Sequence, residues 1–224
     1  MNIKIYKKLE NLFHITPNIL VDKNKLKHAI QSTFNVYIDN VEYSNIGELV
    51  DKIDDEVLRI YFGKVWQPQT KKFKFSGLKL IEEVNSLHPK NVLDLGCGYN
   101  EFKGKIRNLL GVDPYNNNAD IKSTILDYNT NTKYDAILCL GSINFGSTEK
   151  ILAEISKAVD LTNEGGLLYF RVNPGHKHPA PESEWISFYN WTPSFIINVA
   201  DLLNIDILDL RNDSNDRIYF VLKK

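Results

Sequence analysis

The chain has 224 residues, 43% hydrophobic and 25% charged, with a net charge of −1. That length holds one well-buried domain with an extension, or one large and one very small domain. The near-neutral balance does not demand a nucleic-acid partner. The only cysteines, Cys97 and Cys139, lie in apolar runs, which argues against a disulfide scaffold. No zinc-type Cys/His spacing appears. The opening MNIKIYKKLENLF lacks the apolar core of a signal peptide, and no run is long enough to span a bilayer. The expected location is cytoplasmic.

In chain order, Asp22 caps an expected helix through residues 23–34, and residues 35–41 are short and β-prone. Asn45 and Glu48 have capping-box spacing. The apolar positions Ile46, Leu49, Val50, Ile53, Val57 and Ile60 then share one helical face, with Gly63 as the expected stop. Residues 64–76, KVWQPQTKKFKFS, form a basic, aromatic connector without periodicity. A helix is expected from Ser76 to about residue 87.

From Asn91 the pattern changes to strands alternating with helices. Expected strands are 92–95, 110–113, 121–126 (more polar than the rest), 134–140, 167–172, 205–210 and 217–222. Helices are expected over 102–109 and 148–159, and after Thr192-Pro193, which supply a cap and a first-turn proline. Gly165-Gly166 reads as a turn. Such alternation implies a parallel sheet with helices on both faces. The last two strands are joined too tightly for a crossover, so they must form a hairpin, and one runs antiparallel to the sheet.

The chemistry concentrates at strand ends, where open α/β sheets bind ligands. In VLDLGCG, Asp94 ends a strand, and the turn at Gly96, Cys97 and Gly98 lets the backbone approach a ligand. A dinucleotide loop would place a third glycine at position 101. Glu101 stands there instead, and its charge would repel a pyrophosphate. Asp113, followed by Pro114, ends the next strand and suits the hydroxyls of a ribose. Asp127 suits an exocyclic adenine amine, with the Tyr128 backbone at the ring edge; Asp120 competes for that role. Leu140 and Gly141, just past the fourth strand, would line the cofactor, and Asn144 and Phe145 would face a substrate.

In this order, VLDLGCG, GVDPY, LDY, KYDAILCLGSINF and NEGGLLYFRV resemble the motifs of the class I S-adenosylmethionine (SAM)-dependent methyltransferases. The resemblance covers roughly residues 76–224. Position 100 is Asn where many members have a further glycine. The resemblance implies SAM as cofactor, with Asp94 at its methionine end and Gly96 and Gly98 shaping its bed. The expected fold is α/β: a Rossmann-like, seven-stranded, mostly parallel sheet with an antiparallel last strand, plus a small, mainly helical N-terminal extension. Residues 1–75 would form that extension and connector, and residues 76–224 the SAM-binding domain.

SAM carries an activated methyl group, so the protein has mainly to align an acceptor and remove a proton where needed. The stretch after the fourth strand, GSINF, is not the Asn-Pro-Pro-Tyr of base and glutamine N-methylation. The loop 173–190 holds His176 and His178, each a possible general base, and Trp185 as a substrate contact; the bland alternative is a solvated loop. His176 and His178 lack a third metal ligand nearby. The connector 64–76 reads either as aromatics packed inward with lysines in water, or as a lid. Three functions follow: a methyltransferase for a small molecule or an accessible group of a larger one, a nucleic-acid methyltransferase, and a catalytically silent binding module of the same fold. Residues 1–90 carry 14 Lys and Arg against 11 Asp and Glu, a bias too weak to favour the second.

Overall fold

Asn2 opens the first helix, α1 (Ile3–Ile15), by accepting from the Lys4 and Ile5 N–H groups. The computed structural model describes residues 1–214 and 216–224. It contains two compact units, one of Met1–Trp66 with Lys177–Ser187, the other of Gln67–His176 with Phe188–Lys224.

In the first unit, α2 (Lys23–Phe34) is capped by Asp22 and ends at Asn35 in the left-handed region (φ 55°). Residues 35–41 form no strand. Asn45 caps α3 (Ile46–Ile60), while Glu48 reaches back to the Ser44 N–H, one residue before the expected box partner. Gly63 does not stop the helix. The last turn widens into a π-turn over Tyr61–Val65, closed by the Trp66 N–H on the Tyr61 carbonyl. Ile5, Leu9, Leu26, Ile30, Leu49 and Ile53 form the buried interior. The loop 177–187 is tied in by Asn2, whose amide donates to Asp54 and to the Trp185 carbonyl, both at 2.7 Å. The sequence reading missed α1, because its apolar positions are interleaved with lysines.

The second unit is built on one sheet in the order β2-β1-β3-β4-β6-β5. Its strands are β1 (Val92–Leu95), β2 (Leu109–Val112), β3 (Tyr134–Leu140), β4 (Thr162–Val172), β5 (Asp206–Asp213) and β6 (Arg217–Lys223). The first four are parallel, and β6 inserts antiparallel between β4 and β5. The closing hairpin is as expected. Among the described residues the sheet has six strands, not the expected seven. Among the described residues, 121–126 make only one bridge, Ile121 to Val112, because Lys122, Thr124 and Leu126 are exposed. Gly165-Gly166 does mark a departure from regular pairing: Tyr134 faces Thr162, yet Ala136 faces Leu167, so residues 163–166 bulge out.

Apolar residues alternate between two faces along each central strand. Leu93, Ile137, Leu168 and Phe220 face α5 (Thr148–Leu161) and α6 (Pro193–Leu203). Val92, Leu138, Tyr169 and Val221 pack with Leu80 and Val84 of α4 (Lys79–Ser86). The strands are therefore buried on both sides, which explains their unbroken apolar runs. Ser147 and Thr192 cap α5 and α6.

Two expected helix positions are corrected. α4 begins at Lys79, not Ser76, whose hydroxyl donates to Asp213 instead. Residues 102–108 form successive turns rather than a helix, and Leu109 opens β2. Asn100, Gly104 and Asn108 all take left-handed φ (55°, 75° and 55°), and such residues break a right-handed helix every fourth position. Phe102 and Ile106 are buried all the same, so the apolar spacing that suggested a helix is met by turns.

Candidate functional site

The carboxyl ends of β2, β1 and β3 lie side by side, and each delivers part of one concave rim. After β1 the chain turns at Gly96 (φ 73°) and Gly98 (φ 52°). The Gly96 and Cys97 N–H groups both donate to the Val112 carbonyl, at 2.7 and 3.0 Å. A Cβ on Gly96 would come within 2.2 Å of the Ser142 Cβ, so only glycine lets this turn approach the end of β3. Asn100, at the position where a glycine was expected, takes the left-handed conformation that a glycine would, which Asn tolerates.

Asp113 organises the turn. One carboxylate oxygen accepts from the Gly98 N–H at 3.0 Å, and the other from Tyr115 and Asn116 at 2.8 and 2.7 Å, across half-buried Pro114. A carboxylate offers about four acceptor positions. Three are taken by backbone, which leaves one for a ligand hydroxyl.

Asp94 is different. It is only 3% exposed, and among the described residues nothing donates to its carboxyl. Burial, helped by the nearby Asp113 charge, pushes its pKa up to about 7. A buried acid without a donor is an acceptor prepared for a cation. Burial also pushes the Cys97 and Cys139 thiols well up, so neither is a ready thiolate.

At the far end of β2, Asp120 holds its own neighbourhood together. It accepts from the Gly111 N–H at 2.8 Å, Lys103 at 2.9 Å and Asn100 at 3.4 Å. Burial works to raise its pKa, yet these donors keep it below the ordinary carboxylate value. Asp127 sits exposed in the following turn, bonded to the Thr124 hydroxyl at 2.6 Å. The Tyr128 N–H donates to the Thr124 carbonyl, and its hydroxyl pairs with that of Tyr134 at 2.7 Å. The N–H of Tyr128 thus serves the turn, and its hydroxyl ties the turn to the start of β3.

Beyond Leu140, Gly141 takes φ 104°. Asn144 is 4% exposed and fully engaged: its amide donates to the Gly141 carbonyl, its side-chain oxygen accepts from the Asn173 N–H, and its carbonyl accepts from Tyr189. It ties the ends of β3 and β4 together. Phe145 pairs with Phe188, ring centroids 5.4 Å apart. Trp191, buried nearby, donates to the Ile143 carbonyl.

Sequence reasoning missed several parts of this rim. The buried Ser142 hydroxyl has no hydrogen-bond partner among the described residues. Asn173 holds the loop at His176 through bonds of 2.7 and 2.8 Å to the His176 backbone. Gln67 donates to the Tyr99 hydroxyl, and Thr70 to Glu101, so the connector is fastened to the glycine turn. None of these has a motif; each depends on contacts between residues far apart in sequence.

The remaining candidates divide between the units. His176 belongs to the second unit and is exposed. His178 belongs to the first, where its Nδ1 lies 2.9 Å from the buried Tyr61 hydroxyl and its ring is 6.4 Å from Phe62. Burial, then the Glu182 charge, raises the Tyr61 pKa, which keeps it a neutral phenol. Trp185 is also in the first unit, edge-on to Phe34 at 4.9 Å.

No family model matches the chain, and no curated protein matches it. Solved structures do. The 1,6-didemethyltoxoflavin-N1-methyltransferase of Burkholderia thailandensis, with its substrate and S-adenosylhomocysteine bound, aligns with a TM-score of 0.60 over 84% of this chain and 94% of its own, at 11% identity. A SAM-bound amino pentose methyltransferase from Micromonospora echinaspora aligns with a TM-score of 0.50 over 65% of this chain and 88% of its own, at 11% identity. With the sheet order and reversed β6, these likenesses show that the chain has the fold of the class I SAM-dependent methyltransferases.

Proposed function

We propose that the chain is a SAM-dependent methyltransferase acting on a small molecule or on an accessible group of a larger one. The observation that carries this reading is Asp94: a buried carboxyl with no donor, at the foot of a glycine turn that Asp113 holds in shape. Its natural partner is an ammonium group, which the methionine end of SAM has and a dinucleotide lacks. The absence of a helix over residues 100–108 agrees, since a pyrophosphate would favour a helix N-terminus there.

When bound, SAM supplies a methyl group already activated on sulfur. Asp94 would accept the ammonium, and Gly96, Cys97, Gly98 and Gly141 would offer backbone without a Cβ or with a small one. Asp113 would use its remaining acceptor position for the ribose. Asp127 is the better choice for the adenine amine, because Asp120 is already committed to Gly111 and Lys103. Asp113→Ala is expected to weaken SAM binding more than tenfold in a calorimetric titration; an unchanged affinity removes this assignment.

Both neighbours named above are methyltransferases of small molecules, which supports a small acceptor here. The free Cys97 and Cys139 suit the cytoplasm. No helix among the described residues is long and apolar enough to cross a membrane. Residues 1–75 remain our proposed substrate region, together with the loop around Trp185. For acceptors that lose a proton, His178 is the proposed base, because Tyr61 fixes its ring while His176 is exposed. His178→Gln should then lower kcat about tenfold or more with little change in KM. An unchanged kcat across the pH profile would remove His178 from the chemistry.

A further inference from the structure

The first unit contains a cavity of about 260 Å³, between the ends of α2 and α3 and the loop 177–187. Its wall is apolar: Phe34 and Trp185 meet edge to face, and Val36, Val57 and Ile60 complete the surface. The charged groups that line it are two carboxylates, Glu182 and Glu184, and no basic residue lines it. These two flank Ser183, which is 2% exposed and whose hydroxyl donates to the His178 and Ala180 carbonyls at 2.8 and 2.7 Å. The acids are therefore carried on a pinned turn rather than a loose one. Lys4, whose charge feels that of Glu184, is turned to main chain: its ammonium donates to the Ile186 carbonyl at 3.0 Å and approaches that of Glu184 at 3.5 Å.

We infer that this cavity binds a small organic ammonium ion with an apolar body. The aromatic and aliphatic wall would take the body, by area and by the attraction of ring faces for a cation. The carboxylates would take the charge. Sites for drug-sized ligands run from about 300 Å³ upward, so a space of this size favours a molecule smaller than that. A neutral ligand of equal shape would gain nothing from the two exposed carboxylates, and an anion would be repelled. The cavity lies in the region proposed above for the substrate, but the binding inference stands without methyl transfer, because it concerns residues of the first unit alone.

The test is a calorimetric titration of the full chain with 2-phenylethylammonium and, separately, with 2-phenylethanol, at pH 7 and low salt. Excess S-adenosylhomocysteine is present in both, so the glycine turn is filled if the proposed function holds, and the additive is a spectator if it does not. The ammonium is expected to saturate one site and to bind at least tenfold more tightly than the alcohol. In the double variant Glu182→Gln, Glu184→Gln, whose changes are isosteric and exposed, that preference should fall to within about twofold. Equal binding of amine and alcohol by the natural chain, no saturable binding of the amine, or an unchanged preference in the double variant would each overturn the inference.

Discussion

Asp94→Asn should make the ligand-free protein more stable at pH 8 and, at the same pH, weaken SAM binding about a hundredfold. The two effects have one cause. The Asp94 carboxyl is buried, faces Asp113 and has no donor, and its pKa is pushed up to about 7. In the unfolded chain it would titrate near the ordinary aspartate value of 3.8. Between these values the folded state binds more protons than the unfolded state, so stability is fully present below about pH 4 and is lost as pH rises through 7. Above pH 7 the native carboxylate is a largely buried charge beside that of Asp113, and an amide there is uncharged. The variant should therefore melt several degrees higher than the natural chain at pH 8, with the difference shrinking as pH falls and vanishing below about pH 4. A hydrogen bond between a carboxylate and an ammonium is worth about 1.5–3 kcal/mol, the upper end of which gives the hundredfold loss. If Asp94 were merely structural, Asp94→Asn would melt lower at every pH and bind SAM as before.

Asp213→Ala is expected to cost about 3–5 kcal/mol, the range for removing one partner of a buried ion pair. Asp213, whose side chain is fully buried, gathers five donors at the end of β5: the Lys74, Phe75 and Ser214 N–H groups, the Ser76 hydroxyl and the Arg171 Nε at 3.2 Å. Burial alone would raise its pKa, but these donors hold it below the ordinary carboxylate value. Its contribution is thus present at neutral pH and is lost as pH falls through that lowered value. Arg171, pushed down to about 10 by burial, would be left without its carboxylate, under the Phe73 ring at 3.7 Å. At about 2–4 °C per kcal/mol for a chain of this size, thermal melting should fall by about 10 °C. A shift under 2 °C would show that the backbone donors re-pair with water and that the connector is not anchored here.

The sheet was legible because its signals are local. Continuous apolar runs give strands buried on both faces, and the short polar link at residues 212–216 allows only a hairpin. The glycine turn was legible for the same reason, since Asp94, Gly96 and Gly98 are contiguous. What could not be read depends on distant partners. Asp213 is one aspartate in a polar link, yet it anchors residues 74–76, more than a hundred positions away. Asn144 sits where a substrate residue was expected, but Asn173 and Tyr189 claim its polar groups. Residues 102–109 misled because an i, i+4 apolar pair, Phe102 and Ile106, mimics a helix, while the left-handed residues at 100, 104 and 108 forbid one. The connector's aromatics fit inward packing: Phe73 covers Arg171, and Phe75 stacks on Tyr219 at 6.0 Å.

The central claim is that the turn after β1 is a bed for SAM and not for a dinucleotide. Parallel calorimetric titrations of the natural chain at pH 8 with S-adenosylhomocysteine and with NAD test it most directly. S-adenosylhomocysteine should saturate one site per chain, and NAD should give no saturable heat. Saturable NAD binding with S-adenosylhomocysteine silent would contradict the assignment of Asp94 and of the turn it supports.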